Sequence, residues 1–267
     1  MSWLYLGNNL FSGPIPLNIG ESSSLEVLHV SGNLLNGSIP SSISKLKALG
    51  VMDLSNNHLS GKIPKNWNDL HVLWTIDLSK NKLSGGIPSW MSSKSSLERL
   101  ILGDNNLTGE LTLSLQNCTT LSSLDLGNNR FSGEIPKWIG ERMPSLEHLR
   151  LRGNMLTGDI PEQLCWLSDL HILDLALNNL SGSIPQCLGK LIALSSVTLL
   201  EFDDNPERHF FYSERMELVV KGQDMEFDSI LPIVNLIDLS SNNIWREIPE
   251  EITNLSTLGT LNCPKTN

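Results

Sequence analysis

Asparagine recurs along this chain at a fixed interval: Asn9, Asn33, Asn57, Asn81, Asn105, Asn129, Asn154 and Asn178 are spaced by 24 residues, with one step of 25. Around each lies the frame L-x-x-L-x-L-x-x-N-x-L-x-G-x-I-P, clearest as Leu25, Leu28, Val30, Asn33, Leu35, Gly37, Ile39 and Pro40. A unit of this length cannot bury its apolar residues alone, so successive coils must stack into one continuous core. Such a stack offers a long strand-lined surface for recognition and no enclosed reactive pocket.

Each landmark has a physical reading. Leu49, Met52 and Leu54 give an L-x-L alternation of period two, so a short strand points its leucines inward and the residues between them outward. Asn57 follows where the chain turns, and a buried carboxamide there must satisfy donors and acceptors, which a ladder of asparagines bonding neighbouring turns achieves. Gly61 supplies a backbone conformation closed to other residues, and Ile63-Pro64 an inward anchor followed by a stiff extended step. The frame resembles the plant-specific 24-residue leucine-rich repeat. It implies an α/β repeat fold: a right-handed leucine-rich repeat solenoid with a parallel sheet on the concave face, short 3-10 turns or loops on the convex side, and one island insertion.

Composition fits one elongated domain. The chain has 267 residues with 19 Lys+Arg against 29 Asp+Glu, and the formal charge of −10 argues against nucleic acid or an anionic membrane as partner. Hydrophobic residues make up 40%, enough to fill a core shared among about eleven coils. No apolar run is long enough to span a bilayer, so no direct membrane insertion is expected. No signal peptide is read, because Met1 runs straight into the repeat with Leu4, Leu6 and Asn9, and the chain reads as the middle of something larger.

Nothing points to catalysis. H-E-x-x-H, G-x-S-x-G, C-x-x-C and phosphate-loop patterns are absent from the sequence. His148 and His171 fall on neighbouring strands, but with no third ligand of suitable spacing no metal site is expected. No cofactor is implied.

Cys165 and Cys187 lie 22 residues apart, nearly one repeat, so they belong to adjacent coils about 4.8 Å apart, within disulfide reach. Either a bridge or two buried thiols satisfies that placement; the bridge is the expectation. Cys118 and Cys263 have no evident partner. Five N-x-S/T triplets, at Asn36, Asn106, Asn117, Asn179 and Asn254, are glycosylation acceptors if the protein is secreted.

The period fails once. Leu194, Val197 and Leu199 begin what reads as a normal strand, but Phe202 stands at the asparagine position and the next ladder residue is Asn242, so 242 − 202 = 40, or sixteen more than a repeat. This divides the chain into repeats over 1–202, an island over 203–232 and further repeats over 233–267. The island is charged and aromatic, with Phe210, Phe211 and Tyr212 followed by MELVVKGQDMEF over 216–227, whose two halves around Gly222 read as a hairpin. It is either a neutral decoration or a partner-contacting element, with Tyr212, Lys221 and Phe227 as candidate contacts.

With these residues in view, the run LCWLSDLHILDL over 164–175, then SGSIPQC over 181–187, then Val220-Lys221-Gly222 and IDLSSN over 237–242, resembles the ectodomain of plant receptor-like proteins. The group meant is the one related to the receptor for fungal ethylene-inducing xylanase and to the apple scab resistance proteins. The resemblance implies a cell-surface immune receptor without a kinase, placed on the extracellular face of the plasma membrane or in the apoplast. It would bind a protein, peptide or glycan ligand and recruit receptor kinase co-receptors. The alternative is a soluble apoplastic leucine-rich repeat protein, such as a polygalacturonase inhibitor or an ice-binding relative. Departures include Arg246 for a repeat glycine and Leu111-Thr112 for Ile-Pro.

Alternation places Tyr5, His29, Asp53, Asp77, Ile101, Asp125, Arg150, Asp174, Thr198, Asp238 and Asn262 outward on successive strands. Aspartate is common there in plant repeats, which gives that column a structural reading. Arg150 and Arg152 share one strand beside His148, with Arg99 two coils away, and such a pair can hold a carboxylate bidentately. Trp3 and Trp74 are candidate hot spots. The expected ligand-binding set is Asp53, Trp74, Asp77, Arg99, Asp125, His148, Arg150, Arg152 and Asp174.

Overall fold

The computed structural model describes residues 1–111, 113–195, 212–228, 230–245 and 247–263. One three-residue strand per coil, such as Val51–Asp53 and Thr75–Asp77, builds a parallel main sheet of ten strands among the described residues. Register advances by one repeat at a time, so Met52 pairs with Leu28 on one side and Ile76 on the other. These inward residues are essentially inaccessible to solvent and join one core that runs from Ile15 to Leu255.

A second parallel sheet of eight strands runs along the stack, with members such as Leu34–Ser38 and His58–Lys62. It is built by the residues just after each asparagine, and one strand per coil was all that the sequence pattern led us to expect. Gly61 sits inside it at φ +81°, a left-handed backbone that a side chain resists. The remaining side of each coil is a short 3-10 turn, for example Ser41–Lys45, preceded by Pro40 at φ −71°, ψ 138°.

The asparagines form the ladder. Asn57 Nδ2 donates to the carbonyls of Val30, Leu54 and Ser55 at 3.0, 3.2 and 2.9 Å, and its Oδ1 accepts from the Leu35 amide at 3.0 Å. The rung therefore ties its own turn to the coil before it. Lys94 is an exception of another kind: it occupies a core leucine position, buried, with its ammonium donating to the Asn68 and Leu70 carbonyls at 2.9 Å each. Burial lowers its pKa.

The break in the period is larger than the sequence suggested. Strand Ile172–Asp174 pairs directly with Leu236–Asp238, and the Leu180 amide donates to Asn242 Oδ1 at 3.0 Å as in an ordinary rung. The ladder thus steps from Asn178 to Asn242, and 242 − 178 = 64 exceeds a 24-residue repeat by 40. The expected strand at Val197 to Leu199, with Thr198 outward and Phe202 at its end, lies outside the described residues, but the two flanking strands already occupy neighbouring places in the sheet. The cause of the misreading is local: Leu194 fits the core spacing, so the pattern looked intact past the point where the chain departs. Phe210, Phe211, Thr112 and Arg246 also lie outside the described residues.

Within the surplus segment, Met216–Val220 and Gln223–Phe227 form the antiparallel hairpin expected around Gly222. Lys221 and Gly222, at φ +53° and +76°, make its two-residue turn, the geometry that matches strand twist. Met216, Leu218 and Leu231 pack on Ile172 and Leu236, with Phe227 against them. Cys165 and Cys187, on the successive 3-10 turns Glu162–Trp166 and Gln186–Lys190, are joined by a disulfide with a Cα separation of 5.7 Å. Cys118 and Cys263 are free thiols, and burial pushes Cys118 up to about 12. Among the described residues no helix is long and apolar enough to cross a membrane.

Candidate functional site

The outward face of the main sheet is partly covered by the chain itself. Residues 212–215 and the start of the hairpin, to Glu217, run across that face. Tyr212 packs on Val27 and Val51 beside Trp74, and its hydroxyl donates to Asp77 Oδ2 at 2.9 Å. Glu214 reaches Arg99 Nε at 3.5 Å and accepts a short hydrogen bond from the Ser123 hydroxyl, while Lys80 Nζ meets Glu217 at 2.6 Å.

The expected ligand-binding set is less open than alternation suggested, although Asp53, Asp77, Asp125 and Arg150 still line the cleft beside this segment. Asp53, Asp77, Asp125, His148, Arg150 and Asp174 are all buried, where alternation alone had placed them in an open column. Asp53 lies 2.9 Å from His29 Nδ1 and accepts from the Ser55 hydroxyl at 2.6 Å. Arg150, 3% exposed, donates to both Asp125 oxygens at 3.0 and 3.2 Å, with Nε 3.8 Å from Asp174. Arg152 continues the chain of charges, 3.2 Å from Asp238 and 3.8 Å from Asp174. The Arg-x-Arg strand is therefore largely neutralised from within, each guanidinium already facing two aspartates of nearby strands. Glycine at 127 permits this arrangement, since a Cβ there would stand 2.3 Å from Arg150 Nη1.

Burial sets the acidities. Asp77 is pushed up to about 7, first by desolvation and then by the charge of Asp53. Asp174 is raised to about 6 by burial, against the pull of Arg150 and Arg152. Burial also raises Asp125, opposed mainly by Arg150.

Of the hairpin-segment candidates, Tyr212 and Phe227 are committed to internal packing, and Lys221 alone stands exposed at the turn. Trp74 and Arg99 are half-buried, the guanidinium carbon lying 5.9 Å from the indole centroid. Trp3 is 49% exposed and donates from its indole to Glu26 at 3.3 Å. The five acceptor asparagines, 36, 106, 117, 179 and 254, are all exposed.

Among the described residues a cleft of about 300 Å³ stays open beside residues 212–217, and a second hollow of about 270 Å³ lies between Trp3 and Trp74. Tyr5, His29 and Lys80 line the cleft from the sheet, and Tyr212, Arg215 and Glu226 from the covering segment. Arg215 was not anticipated, and nothing in the repeat pattern signals it, because its position depends on how the surplus segment folds back. His148 and His171 do meet, with ring centroids 4.8 Å apart and edge to face.

The chain can now be set beside known proteins. Residues 23–83 match one leucine rich repeat family, and 96–118, 120–141, 145–167, 169–191 and 234–255 match a second leucine rich repeat family. No curated protein sequence matches it. Among solved structures it resembles the plant peptide hormone receptor RGFR1 in complex with RGF2, at 30% identity and a TM-score of 0.79. It also resembles the Arabidopsis receptor kinase HAESA in complex with the peptide hormone IDA and the co-receptor SERK1, at 31% identity and 0.79. The alignments cover 100% and 98% of this chain but only 36% and 37% of those chains. A plant ice-binding protein shares the fold at 24% identity and 0.70, covering 99% of this chain and 73% of that one. The repeat frame, the stacked parallel sheet and these likenesses together make this chain a member of the leucine-rich repeat family, with the solenoid fold of plant receptor ectodomains.

Proposed function

We propose that this chain is part of the ligand-recognition ectodomain of a plant cell-surface receptor-like protein with an immune role. In this reading it takes a peptide or protein segment into the cleft beside residues 212–217, and the whole receptor recruits a receptor kinase as signalling partner. The observation that carries the reading is the cleft itself, walled by the sheet on one side and by the surplus segment on the other. A ligand seated there touches both at once, which couples recognition to the position of the segment. The complexes of RGFR1 with RGF2 and of HAESA with IDA support a peptide as the occupant, although fold alone does not fix function.

The test is capture of apoplastic and pathogen-secreted proteins by the purified chain, followed by Tyr5→Ala and Arg215→Glu, which alter the cleft without touching the ladder. Loss of a captured protein by about tenfold or more, roughly the effect of truncating a binding hot spot, is the expected result. Capture that both variants leave unchanged sinks the cleft assignment. Failure of any receptor kinase to co-purify with the full-length protein in the presence of that ligand sinks the receptor-like role.

A further inference from the structure

We propose that Glu147, His148 and His171 form a three-ligand site for a zinc-type divalent transition ion, set where the surplus segment rejoins the solenoid. The sheet register brings the three together. His148 pairs with Ile172, so Glu147 and His171, one residue earlier on each strand, stand side by side, and the His171 amide donates to the Glu147 carbonyl at 3.0 Å. One ligand atom from each side chain lies within 4.8 Å of the others. Two imidazoles and one carboxylate, with a further position left for water, are a donor set suited to zinc and its neighbours in the first transition row.

The ring nitrogens are arranged for such an ion. His171 Nδ1 lies 2.8 Å from the Val234 carbonyl; a carbonyl can only accept, so Nδ1 carries the proton and Nε2 keeps the lone pair that a metal requires. His148 is 5% exposed, and its Nε2 is buried without a hydrogen-bond partner. Its Nδ1 lies 3.5 Å from the Glu214 carboxylate, too long and poorly aligned for a good hydrogen bond but on the side from which carboxylates orient metal-bound imidazoles. A buried imidazole with an unused nitrogen is costly in a finished core, and a bound ion removes that cost.

The two outer partners give the site its role. Glu214 lies in the covering segment and Val234 just before the strand Leu236–Asp238 where the chain rejoins the sheet, so an ion on His148 and His171 fastens both to adjacent strands.

The test is titration of the metal-stripped full chain with Zn²⁺, with Ca²⁺ and Mg²⁺ as comparators. We expect one equivalent of Zn²⁺, no comparable binding of Ca²⁺ or Mg²⁺, and tetrahedral Co²⁺ absorption on substitution. His171→Gln and His148→Ala should each weaken Zn²⁺ binding by 100-fold or more, and Glu214→Gln by about tenfold as an outer-shell partner. Amide exchange across Met216–Val220 and Gln223–Phe227 should slow with Zn²⁺ in the parent and not in His171→Gln. The circular dichroism of each variant, checked against the parent, separates loss of the ion from loss of the fold. Zn²⁺ binding that is equal in the parent and in folded His171→Gln, or absent from the parent, overturns the proposal.

Discussion

The Tyr212 hydroxyl donates to the Asp77 carboxylate at 2.9 Å, joining two buried residues 135 positions apart in the sequence. This contact seats the surplus segment on the main sheet. Tyr212→Phe keeps the ring on Val27 and Val51 and removes only the donor, so it should destabilise the fold by about 1–2 kcal/mol. Tyr212→Ala also deletes the packing and should cost about 3–5 kcal/mol. Urea unfolding of the two variants measures both effects.

The same pair makes stability depend on pH. Asp77 sits at about 7 in the folded protein against an ordinary value of 3.8, raised first by burial and second by Asp53. The folded state therefore holds a proton that the unfolded chain releases, and stability from this group is full below the unfolded value and lost as pH rises through about 7. Asp174, raised to about 6 by burial, acts in the same direction. Each unit corresponds to about 1.4 kcal/mol, so Asp77→Asn should reduce the loss of stability between pH 5 and pH 8 by a few kcal/mol. Denaturation midpoints of parent and variant at the two pH values decide it.

From Asn33 onward each ladder asparagine is a four-contact joint, as Asn33 and Asn57 show. Asn57→Ala leaves the Leu35 amide without its acceptor and the Val30 carbonyl with Asn33 Nδ2 alone, at a cost of about 1–3 kcal/mol. Asn57→Asp, nearly identical in shape, should fare no better, because a carboxylate cannot donate to the three carbonyls around it. Thermal melts of the pair test whether hydrogen bonding or size is what matters.

Arg150 offers a different measurement. Its removal strands Asp125 in a dry environment and leaves Asp174 with Arg152 alone, so Arg150→Ala should cost about 3–5 kcal/mol. Arg150→Met combined with Asp125→Asn should recover much of that loss, and a double-mutant cycle would expose the coupling.

Leu177 stands at φ +53° with its side chain 45% exposed, at the place where other coils carry Asn56 and Asn128. Leu177→Asn relieves a left-handed strain and should stabilise the protein by about 0.5–1 kcal/mol. A rise in the melting temperature checks it.

The repeat was legible because its markers act locally and identically: Leu28, Asn33 and Gly37 each report on a single coil. The second sheet was not read, although the post-asparagine alternation at Leu59 and Gly61 held the signal. The position of the surplus segment was misplaced because Leu194 satisfies the core spacing whether or not a strand follows. Outward-facing Asp77, Asp125 and Arg150 were read correctly as to side and wrongly as to exposure, since what covers them comes from residues 135 positions away in the case of Tyr212. Alternation tells direction. It says nothing about a lid supplied from a distant part of the chain.

The seam between Ile172–Asp174 and Leu236–Asp238 is an unbroken parallel pairing, so the scaffold closes behind the forty surplus residues as if they were absent. Such a junction works as a socket: variation in the inserted module, in length or in chemistry, can redraw the recognition surface while the coils on either side keep their register and their stability.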